Sequence, residues 1–123
     1  SLMEELRTEF LLHRLNSRRE APSGYDVLKI ATRGSARLLG RSDIGSLAAG
    51  KCCDLFLIDS RRMELVGACY DPKSVLATVG VRGPVDYTVV NGKITVREGR
   101  LASVDEEKLA RDAQAKCTEY LEK

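Results

Sequence analysis

The chain has 123 residues, enough for one domain of ordinary size and too few for a catalytic domain beside a binding one. Twenty Lys and Arg against 18 Asp and Glu leave a net charge of +2, so a polyanion-binding surface would need clustering that the total does not supply. At 43% hydrophobic and 31% charged residues the composition excludes intrinsic disorder, and no apolar run approaches the ~20 residues of a bilayer span.

In chain order, Met3 to Arg19 lacks Gly and Pro and is rich in helix formers, which predicts a helix. Met3, Leu6, Phe10, Leu11 and Leu15 spread over roughly half its circumference and Leu12 widens that further, so it needs cover on more than one side. Ala21-Pro22-Ser23-Gly24 breaks it, and Ser23 with Asp26 forms a capping-box-like start for a second helix from about Gly24. Val27, Leu28, Ile30 and Ala31 are its expected buried face, Gly34 a notch, and Gly40 its stop.

From Arg41 the period changes. Residues 44–51 read as a two-glycine loop feeding Cys53-Asp54-Leu55-Phe56-Leu57-Ile58, expected as a buried strand. Asp71-Pro72 predicts a helix start for Lys73 to Val79. Asn91-Gly92 stands between the β-branched runs Tyr87–Val90 and Lys93–Val96 and predicts a two-residue hairpin, because both central residues of a type I′ turn need positive φ. Glu98-Gly99 turns the chain again. Ser103 and Glu106 suggest a capping box for a last helix, whose stripe of Leu109, Ala113, Cys117 and Tyr120 should lie on other structure.

Chemistry-bearing residues are sparse. His13 is the single histidine and falls mid-helix at the margin of the apolar arc, where packing or a solvent edge explains it. No nucleophile motif, phosphate loop or metal motif occurs. Asp43, Asp54, Asp59 and Asp86 sit at loop or strand edges and read as turn or cap residues rather than a metal cluster. Cys52, Cys53, Cys69 and Cys117 lack zinc spacing, and the adjacent pair is poorly placed for a disulfide; all four read as reduced packing thiols of a cytoplasmic protein. The basic pairs Arg18-Arg19 and Arg61-Arg62 read as solvated faces, with no interleaved aromatics to stack bases, so neither a nucleic-acid nor a membrane partner is expected. No secretory signal opens the chain, and Ser1-Leu2 ahead of Met3 is read as an expression scar.

The order of elements resembles a known family. The run Ala31-Thr32-Arg33-Gly34-Ser35-Ala36-Arg37-Leu38-Leu39-Gly40, then Ile44-Gly45-Ser46-Leu47, Gly50-Lys51 and Asp54-Leu55, resembles the C-terminal part of the metal-dependent amidohydrolases. So does Pro84-Val85-Asp86-Tyr87-Thr88-Val89-Val90-Asn91-Gly92 followed by Arg97-Glu98-Gly99-Arg100-Leu101. The likeness is greatest to the branch with 8-oxoguanine deaminase, hydroxydechloroatrazine ethylaminohydrolase and atrazine chlorohydrolase.

The resemblance implies an α+β chain: residues 1–40 as two helices from the end of a (β/α)8 barrel, and residues 41–123 as a partial β-sandwich sheet with the Asn-Gly hairpin and a C-terminal helix. It also implies a parent enzyme in which zinc or iron activates water against a C–N or C–Cl carbon of a purine- or triazine-like ring. The ligands of that family, a His-x-His, further histidines and an Asp, match no residue here. His13 falls on a helix position, and none of the aspartates corresponds to the catalytic one. No catalytic, cofactor-binding or metal-ligating residue is therefore assigned, and the chain is expected to be an inactive C-terminal fragment. Its open strand edge and apolar helices predict a homo-oligomer, most simply a dimer. The alternative is a stand-alone dimerisation or interaction module derived from the sandwich.

Overall fold

Capping chemistry sets the helices of the amino-terminal half. The computed structural model describes residues 1–122. Helix α1 spans Leu2–Ser17 and closes in a short 3₁₀ turn, Arg18–Glu20. Helix α2 (Gly24–Lys29) begins where the Ser23 hydroxyl accepts from the Asp26 amide at 3.2 Å, while Asp26 Oδ2 accepts from the Ser23 amide at 3.0 Å. The reciprocal bonds satisfy two of the amides a helix start leaves unpaired. α2 runs into a π-helical turn, Ile30–Gly34, then α3, Ser35–Leu38. Gly40, at φ +66°, ends the helical run.

α1 and α2 pack with α4 (Val75–Thr78), joining Leu6, Phe10, Val27 and Ala77 in one small core. Arg7 reinforces the contact by donating to the carbonyls of Thr78 and Val79, both at 2.6 Å, where the end of α4 presents unpaired acceptors. A second core holds Leu65, Val75 and Val81, with Leu76 shared between the two.

The carboxyl half is a four-stranded antiparallel meander, β1 (Leu55–Leu57), β2 (Tyr87–Val90), β3 (Lys93–Arg97) and β4 (Arg100–Leu101), paired in chain order. Val90 pairs with Lys93 across Asn91 (φ 48°) and Gly92 (φ 77°). Asp54 ties this turn down by accepting from the Asn91 amide at 2.6 Å. Helix α5, Glu106–Leu121, follows.

Several expectations need correction. The run expected as a buried strand forms only β1, with Phe56 and Leu57 exposed at 40% and 55%, because an open cleft separates β1 from the helices. Helix α4 starts after Ser74 rather than at Asp71-Pro72; the Ser74 amide donates to the Asp71 carbonyl, so Asp-Pro makes a turn ahead of the helix. The cap of α5 is Asp105, accepting from the Lys108 amide at 2.9 Å, whereas Glu106 reaches back to the Leu101 amide at 2.7 Å and Ser103 takes no part. The stripe on α5 lies on nothing, since no residue of that helix among those described is buried. Ile30, expected inside, is exposed, because regular helical spacing from Val27 puts it at the margin of the face that Gly24, Val27, Leu28 and Ala31 turn to the core.

The apolar face of α1 is half used. Leu6 and Phe10 are buried, while Leu11, Leu12 and Leu15 face outward, Leu15 at 76%. No strand residue is buried. The accessible surface is 9557 Å². Surface-to-mass scaling gives only about 6,600 Å² for a monomer of 13.6 kDa. The excess of about 3,000 Å² exceeds several-fold the ~800 Å² each partner contributes to an ordinary interface.

Candidate functional site

The aspartates weighed as metal ligands are each occupied in holding the chain together. Asp43 receives a two-pronged Arg41 guanidinium, at 2.9 and 2.6 Å, and the Cys52 thiol at 3.1 Å. The Arg41 bond, with the thiol second, holds its carboxyl well below the usual carboxylate range. Asp59 is held down to about 2, first by the Arg61 guanidinium bonding its side chain and then by the Arg61 amide. Asp86 accepts from the Asp59 amide at 2.7 Å and pairs with Arg62 at 3.0 Å; both lower its pKa, the amide more. Asp43 and Asp59 thus brace their own loops, while Asp86 and Asp54, the latter just ahead of β1, tie segments far apart in sequence.

His13 lies on the exposed side of α1, 3.9 Å from Glu9. Arg18, Arg19 and Arg61 are exposed, but Arg62 is half-buried against Asp86, so the second basic pair is only partly a solvated face. The cysteines also depart from expectation. All four are free, but Cys53, Cys69 and Cys117 are exposed rather than packed, because the surfaces carrying them lie uncovered. Cys52 alone is half-buried, and its bond to the Asp43 carboxylate, reinforced by burial, pushes the thiol pKa up.

Two clefts remain. One, of about 650 Å³, separates the helices from β1 and is largely apolar, with Leu28, Leu39, Leu47, Leu55 and Phe56 along it. The other, of about 880 Å³, runs between the α2–α3 ridge and the loop after it, lined by Lys29, Arg33, Arg37, Arg41 and Lys51. No adjacent basic pair in the sequence marks this second groove. Its signal is periodic: positions 29, 33 and 37 recur at the four-residue spacing of one helix face, and Arg41 follows just past the end of the run.

A zinc site needs three or four His, Cys or carboxylate donors converging on one point. Among the described residues no group of three or more such side chains is placed to hold an ion. The Cys52–Asp43 pair is closed by Arg41, a competing cation already in place. The residues present do not fit a zinc or iron centre. Among the described residues no helix is long and apolar enough to cross a membrane.

Comparison with known proteins gives a consistent result. The profile of the amidohydrolase family matches residues 1–95. Hydroxydechloroatrazine ethylaminohydrolase of Pseudomonas sp. is 44% identical over 116 residues, which are 92% of this chain and 24% of that protein. The 8-oxoguanine deaminase of Pseudomonas aeruginosa is 38% identical over 105 residues, 85% of this chain and 23% of that one. Atrazine chlorohydrolase from Arthrobacter aurescens, solved in complex with zinc, superposes with a TM-score of 0.81 at 32% identity, covering 92% of this chain and 25% of that chain. The chain thus spans about a quarter of the length of the relatives it matches.

Proposed function

Because the chain belongs to the amidohydrolase family, we propose that it is the carboxyl-terminal scaffold of an aminohydrolase that cleaves C–N or C–Cl bonds on purine- or triazine-like rings. By itself it has no turnover. The observation that carries this reading is the donor inventory: one exposed imidazole, aspartates engaged by arginines and amides, and no converging group among the described residues. The parent's zinc or iron, and its water-activating ligands, belong to barrel strands ahead of the part this chain resembles. In that setting α1 and the α2–α3 run are outer helices of a (β/α)8 barrel, and the meander is one part of a sandwich completed by strands from elsewhere. The uncovered half of α1 and the unburied sheet support this placement. Alone, in a cytoplasmic setting that keeps its thiols reduced, the chain covers these surfaces by self-association, a dimer being the simplest closed form.

Ammonia release from 8-oxoguanine and elemental analysis of the purified 123-residue chain test the reading together. No turnover with or without added zinc, and far less than one zinc per chain, are expected. Turnover, or a stoichiometric tightly held ion, would refute it. Nucleotides upstream of Met3 are expected to encode a His-x-His and the catalytic Asp in frame; a ribosome-binding site directly before Met3 would favour the independent interaction module.

A further inference from the structure

The groove beside the α2–α3 ridge is assembled from two walls, and its cations are unevenly used. On the helical wall, Lys29, Arg33 and Arg37 line one side. In a regular α-helix, residues four apart drift by about 40° per step, because four residues overshoot the turn of 3.6. The π turn over Ile30–Gly34 winds more slowly, takes back part of that drift, and keeps these side chains on one groove. Such turns are rare and concentrate at functional sites.

On the opposite wall, the loop carrying Ser42, Ser46 and Lys51 is seated against the helix at Gly45. A Cβ there would meet the Ala36 Cβ at 2.8 Å and the Thr32 carbonyl at 3.0 Å. The approach brings donors from loop and helix to face one another. Two cations are already answered, Lys29 by Asp26 at 2.7 Å and Arg41 by Asp43. Arg33 and Arg37 have no acidic partner among the described residues, and Lys51 has only the Ile44 carbonyl at 3.5 Å. Both guanidinium groups are exposed to the groove, forked donors suited to phosphate oxygens.

We propose that this groove is a binding site for a multivalent oxyanion of the oligophosphate class, held by Arg33, Arg37 and Lys51 with the Ser42 and Ser46 hydroxyls available as further donors. A single phosphate presents one tetrahedron of oxygens, whereas the donors stand on two walls, with the two arginines about 6 Å apart along the helix and Lys51 opposite. A chain of phosphates reaches both. The proposal is independent of the family reading, since it concerns this chain's own residues and asks for no catalysis.

The test is calorimetric titration of the whole 123-residue chain with inorganic tripolyphosphate and, separately, ATP, at about 20 mM salt where screening is weak. Both are expected to bind alike, more tightly than orthophosphate, and more weakly by several-fold at about 150 mM salt. Arg33→Gln with Arg37→Gln should lower affinity about tenfold, given what exposed charge pairs contribute. Arg18→Gln with Arg19→Gln removes the same charge elsewhere and should leave binding within about twofold. Lys51→Gln, on the other wall and outside the helix, gives a second reading if the helical variant loses circular dichroism. Absence of tripolyphosphate binding, equal losses in the two double variants, or binding of ATP without tripolyphosphate would overturn the proposal.

Discussion

Replacing Gly45 by Ala tests whether the loop seat on the helix is a close-packed contact. Gly45 sits at φ +82°, which costs a residue with a Cβ about 1–2 kcal/mol. The new methyl group would also meet Ala36, Thr32 and, at 3.2 Å, the Arg33 Cα. Two of these three contacts are backbone atoms within a helical run, which yield little, so overpacking adds about 1–3 kcal/mol. Gly50 supplies the control: φ is +83°, and nothing lies within 4 Å of its would-be Cβ. Gly50→Ala should therefore show the backbone cost alone, about 1–2 kcal/mol, against about 2–5 kcal/mol for Gly45→Ala. Urea unfolding followed by far-ultraviolet circular dichroism reads the difference. With a slope of about 1.5 kcal/mol/M, the Gly50 variant should lose about 1 M in midpoint and the Gly45 variant about 1.5–3 M. A stabilising osmolyte in all samples keeps both transitions in range. Equal midpoints for the two variants would refute the close approach and, with it, the two-walled groove.

Other outcomes follow from the same structure. Ser23→Ala removes the cap of α2 and should cost about 1 kcal/mol, read as a lower urea midpoint with an unchanged slope. Asp26, lowered first by Lys29, and Asp59, lowered first by Arg61, are each held down to about 2 in the folded chain, below the ordinary aspartate range. Their contribution to stability is complete above about pH 4 and disappears as pH falls towards 2, so Tm should drop across that window and the drop should shrink in Asp26→Asn; an unchanged pH slope in that variant would contradict the linkage. A thiol-reactive chromophore should label Cys53, Cys69 and Cys117 quickly and Cys52 last, with Asp43→Asn accelerating Cys52 by removing the bond that disfavours its thiolate. Size-exclusion chromatography with light scattering should show an oligomer at micromolar concentration, and a clean monomer would count against the uncovered faces acting as contact surfaces.

Several features that depend on residues close in sequence were legible, although Asp71-Pro72 and Ser103 each marked a helix start that lies a few residues further on. Ser23 and Asp26 mark the start of α2 because a capping box closes within one turn, and Asn91-Gly92 stands between β2 and β3 because the backbone there needs positive φ. The half-circle of leucines on α1 likewise announces that cover is required, since periodicity reads how much of a helix is apolar. Family membership was legible from the ordered motif blocks between Ala31 and Leu101, and the sparse donor inventory from composition.

Burial was not legible, because it depends on what lies opposite. The run Cys53–Ile58 has the composition of a core strand, yet Phe56 and Leu57 are exposed and only Ile58 packs against a core; composition records the affinity for cover and not its presence. The same holds for the stripe on α5 and for three of the thiols. The basic groove needed the tertiary structure for another reason. Lys29, Arg33 and Arg37 can be aligned by helical spacing, but Lys51 reaches them only because Gly45 lets a distant loop settle on the ridge, and a π turn absorbs the drift that spacing alone would predict. The sequence by itself determined which segments coil, turn and pair, through forces acting over a few residues; the tertiary structure decided which apolar faces stay wet and which charges meet, because those depend on contacts between segments far apart along the chain.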